Sequence, residues 1–131
     1  MPSAAAGTWS PAELTEIDTE DELRIASRRV DGSLRREVII WMVRVGDDMF
    51  VRAAHGPETG WNRRAHEAGA GHVRIGTAVD RDVLFEPADP ALAGAVSDAF
   101  EAKYDGRHPR EDVDPVVSAE SLPTTLRIVP A

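Results

Sequence analysis

The sequence predicts a mainly β domain with flanking helices (α+β): a small antiparallel barrel with its helices packed outside. Three observations predict it. Strand-like segments outnumber helical ones along the chain. Most successive strands are separated by short Gly- and Asp-containing turns that suit hairpins. Helices enter at a few crossings, whereas a doubly wound parallel sheet requires regular alternation of strand and helix. A length of 131 residues fits one domain, spanning 1–131, and is enough to bury a core without disulfide or metal staples.

Residues 1–8 read as a flexible N-terminus. Ser10-Pro11-Ala12-Glu13 then opens a helix, with Ser10 as N-cap, Pro11 at the first helical position and Glu13 closing a capping box; the helix should reach about Ile17. Leu23–Val30 alternates loosely as a strand and ends at the turn Asp31-Gly32. Arg35–Val45, rich in Val, Ile and Trp, is the strongest strand. It is apolar on both faces through its middle, which predicts a central strand buried on each side. Gly46-Asp47-Asp48 turns it into Met49–Ala54, a hairpin. Thr59 is placed to cap a helix over Gly60–Ala68 that Gly69 stops. His72–Val79 and Asp82–Glu86 form a second hairpin around Asp80-Arg81. Asp89-Pro90 starts the clearest helix, Pro90–Tyr104, with Leu92, Val96, Ala99 and Phe100 on one face. Residues 106–121, polar and holding two prolines, read as a loop wrapping the surface, and Thr124–Val129 as a closing strand.

Charge narrows the function classes. The net charge is −8, which argues against nucleic acid and anionic membranes as partners, since both need a cationic surface. The charge is partitioned: residues 1–23 carry −6, residues 24–81 carry +4 and residues 82–131 carry −6. There are no cysteines, so disulfides, thiol catalysis and thiolate metal sites are excluded together. His55, His66 and His72 match no compact metal-ligand spacing, and no metal is expected. No Ser lies in a nucleophile elbow, and no glycine pattern marks a Rossmann or P-loop nucleotide site. No run is long enough to span a membrane, and the start lacks the marks of a signal peptide, so the expected location is cytoplasmic.

What remains is the arginine-rich middle. Arg35 and Arg36 start the strong strand, Arg52 sits on its hairpin partner, and Trp61, Arg63 and Arg64 open the following helix. Two strands and a helix N-terminus can converge on one anion, with Trp61 as a wall for a planar ring. The plainer reading pairs Arg52 with Glu37 across strands and leaves Trp61 capping the core.

Asp31-Gly32, the run Ile40-Trp41-Met42-Val43-Arg44-Val45, Phe50-Val51-Arg52, Gly56, Trp61 and Lys103-Tyr104 together carry a further signal. On them, nearly the whole chain resembles a bacterial family known by a domain-of-unknown-function label (number 2255). More distantly, the middle is similar to split barrels of the pyridoxamine-phosphate-oxidase type, above all their deazaflavin-dependent nitroreductase branch. Gly32 with Arg35, Phe50–Ala54 with Gly56, and Trp61 carry that likeness. It implies a six-stranded split barrel, usually a homodimer, that binds FMN or another flavin, a deazaflavin or sometimes haem in a groove at the dimer interface. It would place Arg35, Arg52 and the turn Ala54-His55-Gly56 near cofactor phosphates, with Trp61 and Arg64 lining the groove; Arg36, from the arginine cluster, joins them as a candidate cofactor-binding residue. The chain departs from the branch at Glu37-Val38, where Thr-Pro is usual, and at His55 and Pro57 around Gly56. The expected function is a flavin- or deazaflavin-dependent oxidoreductase acting on a small molecule. The alternative is a non-catalytic split barrel that binds a small anionic ligand or a protein partner.

Overall fold

The computed structural model describes residues 7–131, so the N-terminal segment expected over residues 1–8 lies outside it up to position 6. Helix α1 (Pro11–Thr19) starts as its capping box dictates. Ser10 Oγ accepts from the Glu13 N–H at 3.2 Å, and the Glu13 carboxylate accepts from the Ser10 N–H at 2.9 Å. Strands β1 (Leu23–Ser27), β2 (Val38–Ile40), β3 (Val43–Val45) and β4 (Asp48–Val51) follow. Then come α2 (Gly60–Ala68), β5 (Ala70–Ile75), β6 (Val79–Pro87), α3 (Ala93–Tyr104), α4 (Arg110–Val113) and β7 (Leu126–Pro130). All seven strands join one sheet in the order β2-β1-β5-β6-β7-β4-β3, and every pairing is antiparallel.

The strand expected over Arg35–Val45 is broken, and the six-stranded barrel becomes seven-stranded by that break. Its halves β2 and β3 stand at opposite ends of the strand order instead of at the centre. The cause is local. At Met42 the backbone N–H donates to the Tyr104 hydroxyl at 3.1 Å, and the carbonyl accepts from Lys103 Nζ at 2.9 Å. Side chains from the end of α3 thus take the hydrogen bonds a sheet neighbour would have made. Trp41 stacks on Tyr104 with ring centroids 4.1 Å apart and planes within 5°.

The break also forces the sheet to roll. Laid flat, seven strands would put their edges about 29 Å apart, at ~4.8 Å per step. The three Cα steps from Ile40 to Val43 span at most ~11 Å. A half-barrel, curled until its ends meet in one stretch of chain, satisfies both.

Alternation sorts the side chains into two cores. Leu23, Ile25, Met49, Val51, Val73, Ile75, Val83, Phe85, Leu126 and Ile128 fill the barrel, and Trp9, Leu14 and Ile17 close one side. Val43 and Phe50 point outward instead, beneath α3, where Val96, Phe100, Tyr104, Val113 and Val116 cover them. The segment expected as a surface loop supplies part of that cover. It winds into α4 and two 3-10 turns, Asp114–Val117 and Ala119–Thr124, with Val113, Val116 and Ser121 buried.

The hairpin turn expected at Asp80-Arg81 lies earlier, at Gly76-Thr77-Ala78. Gly76 has φ +48°, and a Cβ there would collide with the Glu16 carboxylate. That carboxylate accepts from the N–H groups of Thr77 and Ala78 at 2.5 and 3.1 Å, so α1 fixes the turn.

Candidate functional site

Arg35, Arg36, Trp61 and Arg64 converge on one recess of about 30 Å³, walled by Ile25, Ser27, Val38 and Ala65. Three elements build it: β1 supplies one wall, the stretch leading into β2 brings the two arginines, and the first turns of α2 bring Trp61 and Arg64. A broader hollow of about 350 Å³ shares Arg35 and Arg64 and adds Arg28, Arg29, Val30, Glu67 and Ala68. The two form a continuous cationic face: five guanidinium groups line it against the single carboxylate of Glu67.

These cations are available in different degrees. The side chains of Arg35, Arg36 and Arg64 have no ion pair or hydrogen bond with any described residue. Arg28 is held by Asp82 and by the Gly32 carbonyl, both at 2.8 Å, and Arg29 reaches the Leu34 carbonyl at 2.9 Å. Helix α2 has no acid in its first turn, and Thr59 makes no side-chain cap. Arg64 folds back over the start of the same helix: a Cβ on Gly60 would lie 3.2 Å from its Nη1. A cation at the positive end of a helix is unfavourable unless an anion joins them.

Arg52 does not join this face. Val51 points into the barrel, so the next side chain emerges on the opposite side of the sheet, under α3. There Arg52 is 3% exposed and donates to Thr125 Oγ1 at 2.9 Å, Ser97 Oγ at 2.7 Å, the Val116 carbonyl at 3.0 Å and the Ala93 carbonyl at 2.9 Å. Burial lowers its pKa from the ordinary guanidinium value. The pairing of Arg52 with Glu37 is also absent. Glu37 takes a two-pronged bond from Arg74, both arms at 2.7 Å, which holds its carboxyl below the usual range. Ala54 packs on the outer core, His55 is exposed, and Gly56, buried with φ +86°, faces Glu120. That turn lies apart from the recess lining.

Sequence reasoning did not reach Arg28 and Arg29 as part of the face; the signal was their place just before Asp31-Gly32, which returns the chain beside them. It also did not reach Asp82, which β6 brings to Arg28 across the sheet.

The residues fit the phosphate-bearing end of a flavin or deazaflavin. Guanidiniums without a partner among the described residues meet the open N-terminus of α2, and Trp61 with Ile25 and Val38 offers an apolar wall for a ring. They do not fit a haem iron, because no histidine lines the recess or the adjoining hollow. Among the described residues no group of three His, Cys, Asp or Glu is placed to hold a metal ion, and no helix is long and apolar enough to cross a membrane.

Comparison with solved structures supports the split barrel. A putative 5-nitroimidazole antibiotic resistance protein from Bacteroides thetaiotaomicron superposes with a TM-score of 0.60 at 13% identity, covering 92% of this chain and 79% of that one. The FAD and heme binding protein from Mycobacterium smegmatis gives 0.56 at 17% identity, covering 95% of this chain and 66% of that one. A protein described as F420 reductase gives 0.53 at 17% identity, covering 88% and 89%. Identities this low speak for the fold. The search of curated proteins found no match. Residues 13–128, nearly all of the described chain, match the family described as an uncharacterized protein conserved in bacteria (DUF2255), and to that family the protein belongs.

Proposed function

We propose that this split barrel binds a flavin or deazaflavin by its phosphate end on the Arg35–Arg36–Arg64 face and acts as an oxidoreductase on a small molecule in the cytoplasm. The observation that carries the reading is a set of three guanidiniums with no partner among the described residues, around one apolar-walled recess at an uncapped helix start. When bound, the ring would supply the hydride chemistry. The chain's own part is binding and orientation. Arg35, Arg36 and Arg64 hold the anion, Gly60 leaves room for the Arg64 guanidinium, and Trp61, Val38 and Ile25 exclude water from one side. Nothing in the recess is a carboxylate or imidazole, so no protein acid or base is assigned to the reaction. The resemblance adds a homodimer; β2 ends the strand order, and its Ile39 is 47% exposed.

The test is a fluorescence titration with FMN, FAD and an F420-type deazaflavin. At least one should quench tryptophan emission with a Kd on the order of micromolar, about −8 kcal/mol of binding. The Arg35→Ala/Arg64→Ala double variant should weaken that Kd at least about tenfold, since each charge-assisted contact contributes ~1.5 kcal/mol or more. Flat titrations with all three ligands overturn the oxidoreductase reading. Should sulfate or phosphate still bind, the non-catalytic anion-binding reading takes its place; the recess is small enough for such an ion.

A further inference from the structure

The arginine face is joined to a titratable group on the outer surface of the sheet. His72 on β5 faces a carboxylate with each ring nitrogen: Nδ1 lies 2.9 Å from Asp82 and Nε2 lies 2.5 Å from Asp80, both on β6. The Asp82 oxygen that meets His72 is the one that holds Arg28, at 2.8 Å. Arg28 in turn lines the hollow with Arg29, Arg35 and Arg64. One carboxylate oxygen therefore stands between an imidazole and a cation of the anion-binding face.

We propose that His72 is a proton-linked regulator of anion binding on the arginine face, working through Asp82, which exchanges Arg28 for protonated His72 as its main partner. The inference rests on the anion-binding reading above. A neutral imidazole has one N–H, so with carboxylates at both nitrogens one of the two faces it lone pair to lone pair. A second proton satisfies both bonds. Asp82 then keeps a full ion pair when Arg28 turns to a ligand anion, and the local charge rises by one. Loss of the proton returns Asp82 to Arg28 and withdraws that cation.

The surrounding charges agree with this direction. Desolvation opposes protonation of His72, but the bonds to Asp82 and Asp80 outweigh it and raise the pKa above the ordinary imidazole value. Asp82 is held below the usual carboxyl range, first by His72 and then by Arg28. Arg24 on β1 and Arg28 just beyond its end lie on the same side as His72; Glu37, ahead of β2, and Arg74, on β5 itself, are bound to each other. Thus the anion site should bind more tightly below the His72 pKa and lose affinity as pH rises through it. By linkage, bound anion should raise the His72 pKa.

Sulfate is the probe, because its charge does not change between pH 5.5 and 8.5. NMR titration of the native protein should show sulfate affinity falling roughly three- to tenfold across that range, the effect of one nearby charge at a partly exposed site. His72→Gln and Arg28→Gln should each remove most of the step, with thermal unfolding confirming that both variants are folded. The His72 Cε1 resonance should titrate at higher pH in saturating sulfate than without it. A step that persists in His72→Gln, or native affinity that does not change with pH, overturns the inference and leaves the anion site standing. No sulfate binding at any pH overturns this inference while the flavin titrations judge the face itself.

Discussion

Lys103 and Tyr104, the chain's one lysine and one tyrosine, stand side by side and are spent on the backbone. Lys103 Nζ donates to the carbonyls of Ile17 at 2.7 Å and Met42 at 2.9 Å, and the Tyr104 hydroxyl donates to the Asp21 carbonyl at 2.7 Å. Neither points at the arginine face, so their part in the family resemblance is structural. Burial lowers the Lys103 pKa to about 8, with Arg107 adding to the effect and Asp21 opposing it. The sign of the stability effect follows. Between about 8 and the unfolded value of 10.5, the unfolded chain carries the extra proton, so this residue's contribution to stability rises with pH across that window. Below it, the cost of burying the cation is present in full. Urea unfolding of the native protein against Lys103→Met should show the difference moving in favour of the native chain from pH 8 to 10.5. A constant difference would mean that Lys103 is not desolvated.

At the level of elements, short-range chemistry was legible and long-range chemistry was not. Helix α2 spans the expected Gly60–Ala68, because Gly69 at φ +67° stops it by local backbone preference. The β3–β4 hairpin turns at Gly46-Asp47 for a similar local reason. The β5–β6 turn was missed because Glu16, sixty residues away, holds it. The arginine cluster was legible in half. Residues 35, 36, 61 and 64 meet because β2 and α2 both pack against β1, whereas strand parity sends Arg52 to the other side. There Arg52 pins β4 to α3 and to the turns before β7. Arg52→Ala should destabilise the protein by about 3 kcal/mol in chemical denaturation, since it leaves buried carbonyls without donors. The variant should bind sulfate or flavin within about twofold of native where it remains folded. A tenfold loss would return Arg52 to the site.

For the whole molecule, barrel closure depends on a joint that strand pattern does not disclose. Apolar alternation runs through Trp41-Met42 without a break in the sequence; the break comes from α3, some sixty residues on. Tyr104→Phe tests the joint. It removes the acceptor of the buried Met42 N–H and the donor to Asp21, for a loss of ~1–3 kcal/mol. Amide exchange should quicken first at Met42 and its neighbours in β2 and β3, ahead of β5 and β6. Uniform acceleration across the sheet would show that the joint is not where the barrel opens.

The sheet that begins and ends in one stretch of chain has a topological vulnerability. Strand pairing runs from β2 round to β3 without joining them, so the two ends of the order are held together by the chain itself, as a clasp holds the ends of a bracelet. A nick between Ile40 and Val43 would release the two edge strands from one another and allow the half-barrel to uncurl. Uncurled, those edges would lie open to strand pairing with other copies, so the joint that sets the shape of the fold also keeps its two edge strands close together.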